Sequence, residues 1–215
     1  MSDVKVKIDG IEVIGNDEMT ILEAAEKAGI KVPTLCHMKD LSPSGNCRIC
    51  VVELENSPRL VAACHTPITE GMVVYTQSSK VKSVRKVNLE LLMIGHTGTC
   101  VTDIHAHACR LHNLASEVDM GPPRFKVKAS RYDPPEPPNP YIRRDMSACI
   151  LCRNCVRACR EIAKKDIYAM AYRGFQSKVV VDCDVALNKD ECKDCGICIE
   201  YCPTSALTKP IAEVL

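Results

Sequence analysis

The residues best suited to chemistry in this sequence are its 15 cysteines, eight of which repeat one spacing, C-x2-C-x2-C-x3-C. Each cysteine of the first copy recurs 43 residues later, and Pro203 follows the second copy, whereas Arg160 follows the first. A cubane cluster needs four thiolates, and in paired runs of this kind the fourth cysteine of each run ligates the other cluster. The first [4Fe–4S] cluster is therefore assigned to Cys149, Cys152, Cys155 and Cys202, and the second to Cys159, Cys192, Cys195 and Cys198. Zinc also uses C-x2-C pairs, but two matching sets of four favour cubane clusters.

A second group of four cysteines lies nearer the N-terminus: Cys36, Cys47, Cys50 and Cys64. The loop between its first two members contains Gly45, so backbone N–H groups can approach cluster sulfur atoms there. Four thiolates suit a [2Fe–2S] cluster, although the spacing differs from the plant-type C-x4-C-x2-C. His37 and His65 adjoin two of these cysteines and leave a Rieske-type centre open, but four available thiolates make them neighbours rather than ligands.

A third group, His96, Cys100 and Cys109, has too few cysteines for a cluster of its own. From these residues alone, a metal site and a pair of buried thiols beside a surface histidine are equally open interpretations. Cys183 belongs to no spacing motif and is interpreted as a buried structural thiol in a strand predicted over Val179–Val185.

The elements that must position the N-terminal cysteines have clear local signals. Alternating apolar residues on both sides of Asp9-Gly10 predict a two-residue β-hairpin. Thr20 and Glu23 form a capping-box pattern, and Gly29 ends the helix that it opens. Two further short strands are predicted at Val51–Leu54 and Leu60–Ala63. This succession is typical of a small β-grasp fold.

The pattern changes after Ser79. Apolar residues recur at helical spacing from Val81 to Ile94, with Lys82, Arg85 and Lys86 on the other face. A second helix is predicted over 108–118, and the proline-rich stretch 119–141 predicts an extended connector. The predicted fold class is α+β, with domains at 1–78 ([2Fe–2S] ferredoxin-like), 79–118 (helical, with the His/Cys cluster), 119–141 (linker) and 142–215 (two-[4Fe–4S] ferredoxin-like).

Composition excludes several classes of function. The net charge of +1 has no basic concentration suited to nucleic acid, and no apolar run is long enough to span a bilayer. No leader is apparent, so a cytoplasmic location is expected, where thiols stay reduced and bind metal more often than they form disulfides. No Gly-rich nucleotide fingerprint and no nucleophile–base grouping is present, so no substrate-converting site is expected in this chain.

Taken together, the motifs resemble a known family. Cys36-x10-Cys47-Arg-Ile-Cys50, His96-x3-Cys100, Cys109-Arg-Leu-His-Asn-Leu-Ala-Ser-Glu117 and the two C-terminal runs are similar to the N-terminal iron–sulfur region of the large peripheral-arm subunit of complex I. They are more similar still to the short electron-transfer subunit of NAD-linked bidirectional hydrogenase diaphorases and to bifurcating or transhydrogenase relatives. The resemblance implies a [2Fe–2S] cluster on the N-terminal set.

The resemblance also implies a third [4Fe–4S] cluster, held by one His and three Cys spaced H-x3-C-x2-C-x5-C. His96, Cys100 and Cys109 match this pattern, but its third position is Asp103 and not cysteine. His112 stands where the family usually has Gln. Because a carboxylate can bind iron although it is harder than a thiolate, the expected ligand is Asp103 on an intact cluster; a three-iron cluster or an empty site are the alternatives.

The function implied by the resemblance is electron relay. A flavin is needed to split the two electrons of NAD(P)H, so the resemblance implies a flavin- and NAD(P)H-binding partner subunit, a small thioredoxin-like [2Fe–2S] subunit, and a distal redox subunit or ferredoxin. The [2Fe–2S] and middle clusters would lie nearer the flavin, and the C-terminal pair would lead outward. Alternatives from other classes are a free multi-cluster ferredoxin, an iron–sulfur redox sensor and a zinc scaffold.

Overall fold

The fold is described from a computed structural model that covers residues 2–96, 109–118, 120–121, 124–125, 132, 139–181, 184–185, 187 and 189–210. The chain divides into two compact units, Met1–His37 with Pro43–Leu89, and Met38–Ser42 with Glu90–Leu215. The four domain boundaries expected from the sequence stay predictions. In the described part of the chain, no helix combines the length and apolar character needed to cross a bilayer.

The first unit is built on a five-stranded sheet in the order β2-β1-β5-β3-β4. Its strands are β1 (Asp3–Ile8), β2 (Ile11–Asn16), β3 (Val51–Leu54), β4 (Leu60–Ala62) and β5 (Val73–Tyr75). All neighbours pair antiparallel except β1 and β5, which are parallel. Local sequence patterns predict the first four strands but not β5, because a three-residue strand paired to distant segments leaves little local pattern.

Local sequence signals in this unit are confirmed. Asp9 and Gly10 form the hairpin turn with φ values of +47° and +89°, as a turn with positive φ at both central residues requires. Helix α1 (Ile21–Lys27) begins with a complete capping box, in which Thr20 Oγ accepts from the Glu23 N–H and the Glu23 side chain accepts from the Thr20 N–H. The core between helix and sheet contains Ile8, Ile21, Leu22, Val52 and Val74, all almost fully buried.

Two longer helices follow. Helix α2 spans Ser79–Ile94, and α3 spans Arg110–Glu117. Both were predicted, the second with slightly wider limits. Leu111 and Ala115, four residues apart in α3, are buried, so they anchor one face of this helix.

The second unit continues as short elements around a second apolar core. Two-stranded sheets pair β6 (Arg143–Arg144) with β9 (Leu207–Thr208), and β7 (Tyr168–Ala171) with β8 (Lys178–Val181). The helices are α4 (Asn154–Arg157), α5 (Lys189–Cys192) and α6 (Ile197–Glu200), with 3-10 turns at Met146–Ala148 and Gly174–Gln176 and a π-turn at Ala158–Ile162. Cysteines of both C-terminal runs are part of the buried core cluster, which Ile142, Tyr168 and Leu207 help to fill.

Of the strand predicted over Val179–Val185, the structure describes β8 as Lys178–Val181, and Asp184 and Val185 lie outside any strand. Asp184 has φ +72°, and its N–H donates to the Val181 carbonyl at 2.9 Å, so Asp184 is not in an extended conformation. Cys183 lies outside the described residues.

Candidate metal centres

The four N-terminal cysteines converge from two parts of the first unit. Cys36, Cys47 and Cys50 belong to the loop between α1 and β3, and Cys64 follows β4; all four are buried. They meet as two pairs. The Cys47 N–H donates to Cys36 Sγ at 3.4 Å, and Cys50 Sγ lies 3.3 Å from Cys64 Sγ. Two thiol pairs of this kind match the needs of a cluster with two irons.

Each pair contains one sulfur that is easily ionised. The hydrogen bond with Cys47 lowers the pKa of the Cys36 thiol to about 5, helped by the N–H groups of Cys47 and Asn46. In the other pair, the hydrogen bond with Cys50 lowers the pKa of Cys64, to which Gly45 also donates. The same bonds, with burial, raise the pKa values of Cys47 and Cys50. Because metal binding needs thiolates, iron would displace the protons that remain.

A buried cation lies close to these sulfurs. Arg85 of α2 is only 5% exposed and donates to three carbonyl oxygens, those of Ile49 at 3.0 Å, Val51 at 3.1 Å and Thr76 at 3.3 Å. Burial lowers the pKa of its guanidinium, and negative charge on Cys50 acts in the opposite direction. The sequence-based prediction that Arg85 lies with Lys82 and Lys86 on the polar face of the helix is therefore wrong. The spacing could not separate these cations, because the burial of Arg85 depends on carbonyls that lie far from it in sequence.

The two histidines beside this set differ in burial. His65 is exposed, whereas His37 is half-buried and its Nδ1 is buried with no hydrogen-bond partner among the described residues. That His37 and His65 are neighbours of the cluster and not ligands therefore stays a prediction.

The first C-terminal set forms one enclosed site. Cys149, Cys152, Cys155 and Cys202 all line a single small cavity, together with apolar residues that include Ile150. Burial, and then the charges of Cys152, Cys149 and Cys202, raise the pKa of Cys155. Such crowded, buried thiols resist joint ionisation, so a cationic iron core is what would stabilise four thiolates here.

The second set gathers in the same unit. Burial raises the pKa of Cys198 to about 12, and the charges of Cys192, Cys159 and Cys195 add to this shift. Tyr168 opposes it, because its hydroxyl, to which the Cys198 thiol donates at 3.8 Å, can donate to the sulfur once the thiol is ionised. The Ile167 N–H also donates to Cys159 Sγ at 3.3 Å.

The sequence repeat is also a repeat of backbone conformation. Leu151 and Asp194, 43 positions apart, both have φ +56°, and the equivalent pair Arg153 and Gly196 have φ +65° and +62°. Positive φ is uncommon for residues other than glycine. Its recurrence at matching positions indicates that each x2-x2 run is wound to turn its cysteines to one side.

The middle group contains a compact set of donors. His96 Nδ1 donates to the Ala148 carbonyl at 2.7 Å, which leaves Nε2, 3.6 Å from Cys109 Sγ, as the unprotonated nitrogen. Burial lowers the pKa of His96 and so favours neutral imidazole. The donor atoms of His96, Cys109 and His112 all lie within 4.8 Å of one another. Cys100 and Asp103 lie outside the described residues, so their assignment as ligands stays a prediction.

Two protein-family models match separate parts of the chain. Residues 2–79 match a 2Fe-2S iron-sulfur cluster binding domain, and residues 139–208 match the ferredoxin-like domain of NADH-quinone oxidoreductase subunit 3. The expected α+β fold, with a [2Fe–2S] domain first and a [4Fe–4S] ferredoxin-like domain last, is confirmed.

Curated relatives match along nearly the whole chain. The NADPH-Fe(3+) oxidoreductase subunit alpha of Geobacter sulfurreducens is 36% identical over 213 residues, covering 96% of this chain and 24% of the relative. The NADP-reducing hydrogenase subunit HndD of Solidesulfovibrio fructosivorans is 34% identical, covering 97% and 36%. The mitochondrial NADH-ubiquinone oxidoreductase 78 kDa subunit of Candida albicans is 31% identical, covering 99% and 29%. The chain therefore spans only a quarter to about a third of the length of these relatives.

A solved structure also matches. A chain in the crystal structure of an NAD+-reducing [NiFe]-hydrogenase in the H2-reduced state superposes with a TM-score of 0.79 at 27% identity, covering 98% of this chain and 89% of that one. The cysteine-rich regions of both units thus lie in folds that are shared with proteins of NAD(P)H-linked oxidoreductases and hydrogenases.

Proposed function

We propose that this chain, a relative of the iron–sulfur subunits of NAD(P)H-linked oxidoreductases and hydrogenases, relays single electrons between a flavin-bearing partner and a distal redox unit. The observation that carries the proposal is the cavity lined by Cys149, Cys152, Cys155 and Cys202. It brings a cysteine of the second run to three cysteines of the first run. This is the exchange that a two-[4Fe–4S] ferredoxin requires.

The protein would hold its clusters in four places. A [2Fe–2S] cluster would bind Cys36, Cys47, Cys50 and Cys64, and two [4Fe–4S] clusters would bind the two C-terminal sets. A third [4Fe–4S] cluster would bind His96, Cys100 and Cys109, with Asp103 at the remaining position of the sequence pattern. When bound, such clusters supply one-electron carriers and no bond-making chemistry.

The surrounding residues would tune these carriers. Burial of the ligand sulfurs excludes water, and N–H groups such as those of Gly45 and Asn46 offset the negative charge that a cluster gains on reduction. Arg85 would do the same with a full charge. The chain would convert no substrate itself, so hydride chemistry would belong to its partners.

The partners we propose are a flavin- and NAD(P)H-binding subunit, a small thioredoxin-like [2Fe–2S] subunit, and a distal redox subunit or ferredoxin, all in the cytoplasm. The support is the resemblance and the names of the relatives, which couple NADPH to Fe(3+) and NADP to hydrogenase. Electrons would pass between the flavin and the [2Fe–2S] and middle clusters first, and the C-terminal pair would lead outward.

The test is metal analysis with electron paramagnetic resonance on anaerobically purified protein. One [2Fe–2S] and three [4Fe–4S] clusters require about 14 irons per chain. A value of about 10 would remove the middle cluster and keep the rest of the relay. Little iron with stoichiometric zinc would refute the proposal, and so would clusters that NAD(P)H cannot reduce in the complex with the flavin subunit.

A further inference from the structure

His112 is an unassigned donor at the middle site. It lies on α3, three residues after Cys109, so both side chains project from the same side of the helix start. The His112 ring stands beside the His96 ring, with centroids 5.2 Å apart and a tilt of 55°. Within the described part of the chain, no hydrogen bond occupies either nitrogen of His112.

The two neighbours of His112 are prepared as ligands. Cys109 is fully buried, and the bond from His96 Nδ1 to the Ala148 carbonyl fixes the tautomer with a free Nε2. Metal-bound histidines usually donate their other N–H to a carbonyl or carboxylate in this way. The Arg110 N–H donates to the Pro203 carbonyl at 2.8 Å, and Leu111 is buried, so the first turn of α3 is fixed and keeps His112 close to the other two donors.

Two departures from the family pattern thus concern one predicted cluster. The pattern expects a cysteine at position 103, where the sequence has Asp103, and it expects glutamine at position 112. Imidazole binds iron well, and His replaces Cys as a cluster ligand in other proteins. A thiolate has therefore been lost at one position, while an imidazole has appeared within 4.8 Å of the donor atoms of His96 and Cys109.

We propose that His112 is a protein ligand of the middle iron–sulfur cluster, beside His96 and Cys109, and that it takes the role that the sequence pattern gives to Asp103. The inference rests on the third cluster of the proposed function. A second neutral imidazole in place of an anionic ligand makes the cluster core less negative, and this raises its midpoint potential. The middle cluster would thus accept electrons more readily than a cluster with one His and three Cys.

The experiment compares His112→Gln with Asp103→Asn in the complete protein, purified anaerobically with its partner subunits. Pulsed electron paramagnetic resonance on the reduced protein, labelled with 15N-histidine, counts the histidine nitrogens coupled to each cluster. We expect two for the middle cluster of the wild type. We expect His112→Gln to lose one coupling or about four irons per chain, and Asp103→Asn to keep both couplings and all the iron.

Several results would overturn the inference. One coupled nitrogen in the wild type, or loss of the middle signal in Asp103→Asn with an unchanged His112→Gln, would restore Asp103 as the ligand. Unchanged signals from the other three clusters serve as the folding control. About 10 irons in the wild type, with or without one zinc, would refute the third cluster together with this inference, yet leave the relay through the other clusters.

Discussion

Replacing Arg85 with methionine should lower the midpoint potential of the [2Fe–2S] centre. The guanidinium is 5% exposed and donates to the carbonyl of Ile49, which directly precedes the predicted ligand Cys50. A buried positive charge at this position stabilises the reduced cluster more than the oxidised one, because reduction adds a negative charge. Methionine keeps much of the side-chain volume and removes the charge.

The size of the effect depends on the separation of the charges. For a separation taken as about 8 Å and an effective dielectric constant of about 20, two unit charges interact by roughly 2 kcal/mol. For one electron, a tenfold change in equilibrium, about 1.4 kcal/mol, corresponds to about 59 mV. We therefore expect Arg85→Met to lower the potential by roughly 50–100 mV. The substitution also leaves three carbonyls without their donor, and each unsatisfied carbonyl should lower the free energy of unfolding by about 1–3 kcal/mol.

The assay is a redox titration of the [2Fe–2S] signal, and the chain offers two controls. Arg85→Lys keeps the charge, so its potential should stay close to that of the wild type even if stability falls. Lys80→Met removes a cation from the same helix. The Lys80 side chain is 42% exposed and paired with Glu53, so solvent screens its charge. If Arg85→Met shifts the potential no more than Lys80→Met does, the electrostatic role of Arg85 is refuted.

Three further perturbations test the second unit. Cys202→Ser should weaken the cluster assigned to the first run and not that of its own run, with a loss of about four irons seen by metal analysis; loss of signal from the other cluster alone would contradict the exchange. Tyr168→Phe should lower the potential of the cluster bound by Cys198 by about 20–65 mV in a redox titration, since one hydrogen bond is worth about 0.5–1.5 kcal/mol; an unchanged potential would mean that the hydroxyl does not donate to this sulfur. Arg124→Ala should lower the unfolding temperature more than Glu90→Gln, because it leaves a nearly buried carboxylate without its 2.7 Å ion pair; the reverse order in calorimetry would contradict this.

Most features of the fold that the sequence predicts come from patterns among residues close together in the chain. The Asp9-Gly10 hairpin and the Thr20 capping box depend on neighbours within a few residues, and both are observed as expected. Strand β5 depends on pairing with β1 and β3 across long stretches of chain. Three residues with ordinary composition could not predict that pairing.

The same division holds for the candidate sites. The cysteine spacing identified the described thiols of the two C-terminal runs, because a C-x2-C run already brings its members together. Cys109, which the structure groups with His96 and His112, was expected as a ligand only from the resemblance. The contribution of Arg85 and Tyr168 could not be read from spacing, since each reaches its sulfur group through tertiary packing. His112 was visible as a departure from the family pattern, yet only the approach of α3 to His96 makes it a candidate ligand.

The proposed exchange of Cys159 and Cys202 has a consequence for how this protein gains and loses iron. In that arrangement each run would supply three ligands to one site and one ligand to the other, so neither set of four would be complete until both runs are folded. The four cysteines of the first set already line one cavity, and Cys159 lies on the π-turn directly after α4, which carries Cys155. Displacing Cys159 from its cluster would therefore disturb the helix that holds the other cluster. Because metal binding and folding are coupled in such small domains, the two C-terminal clusters should be assembled together, and displacement of Cys159 should weaken both. The [2Fe–2S] site, with all four predicted ligands in the first unit, should exchange its iron independently.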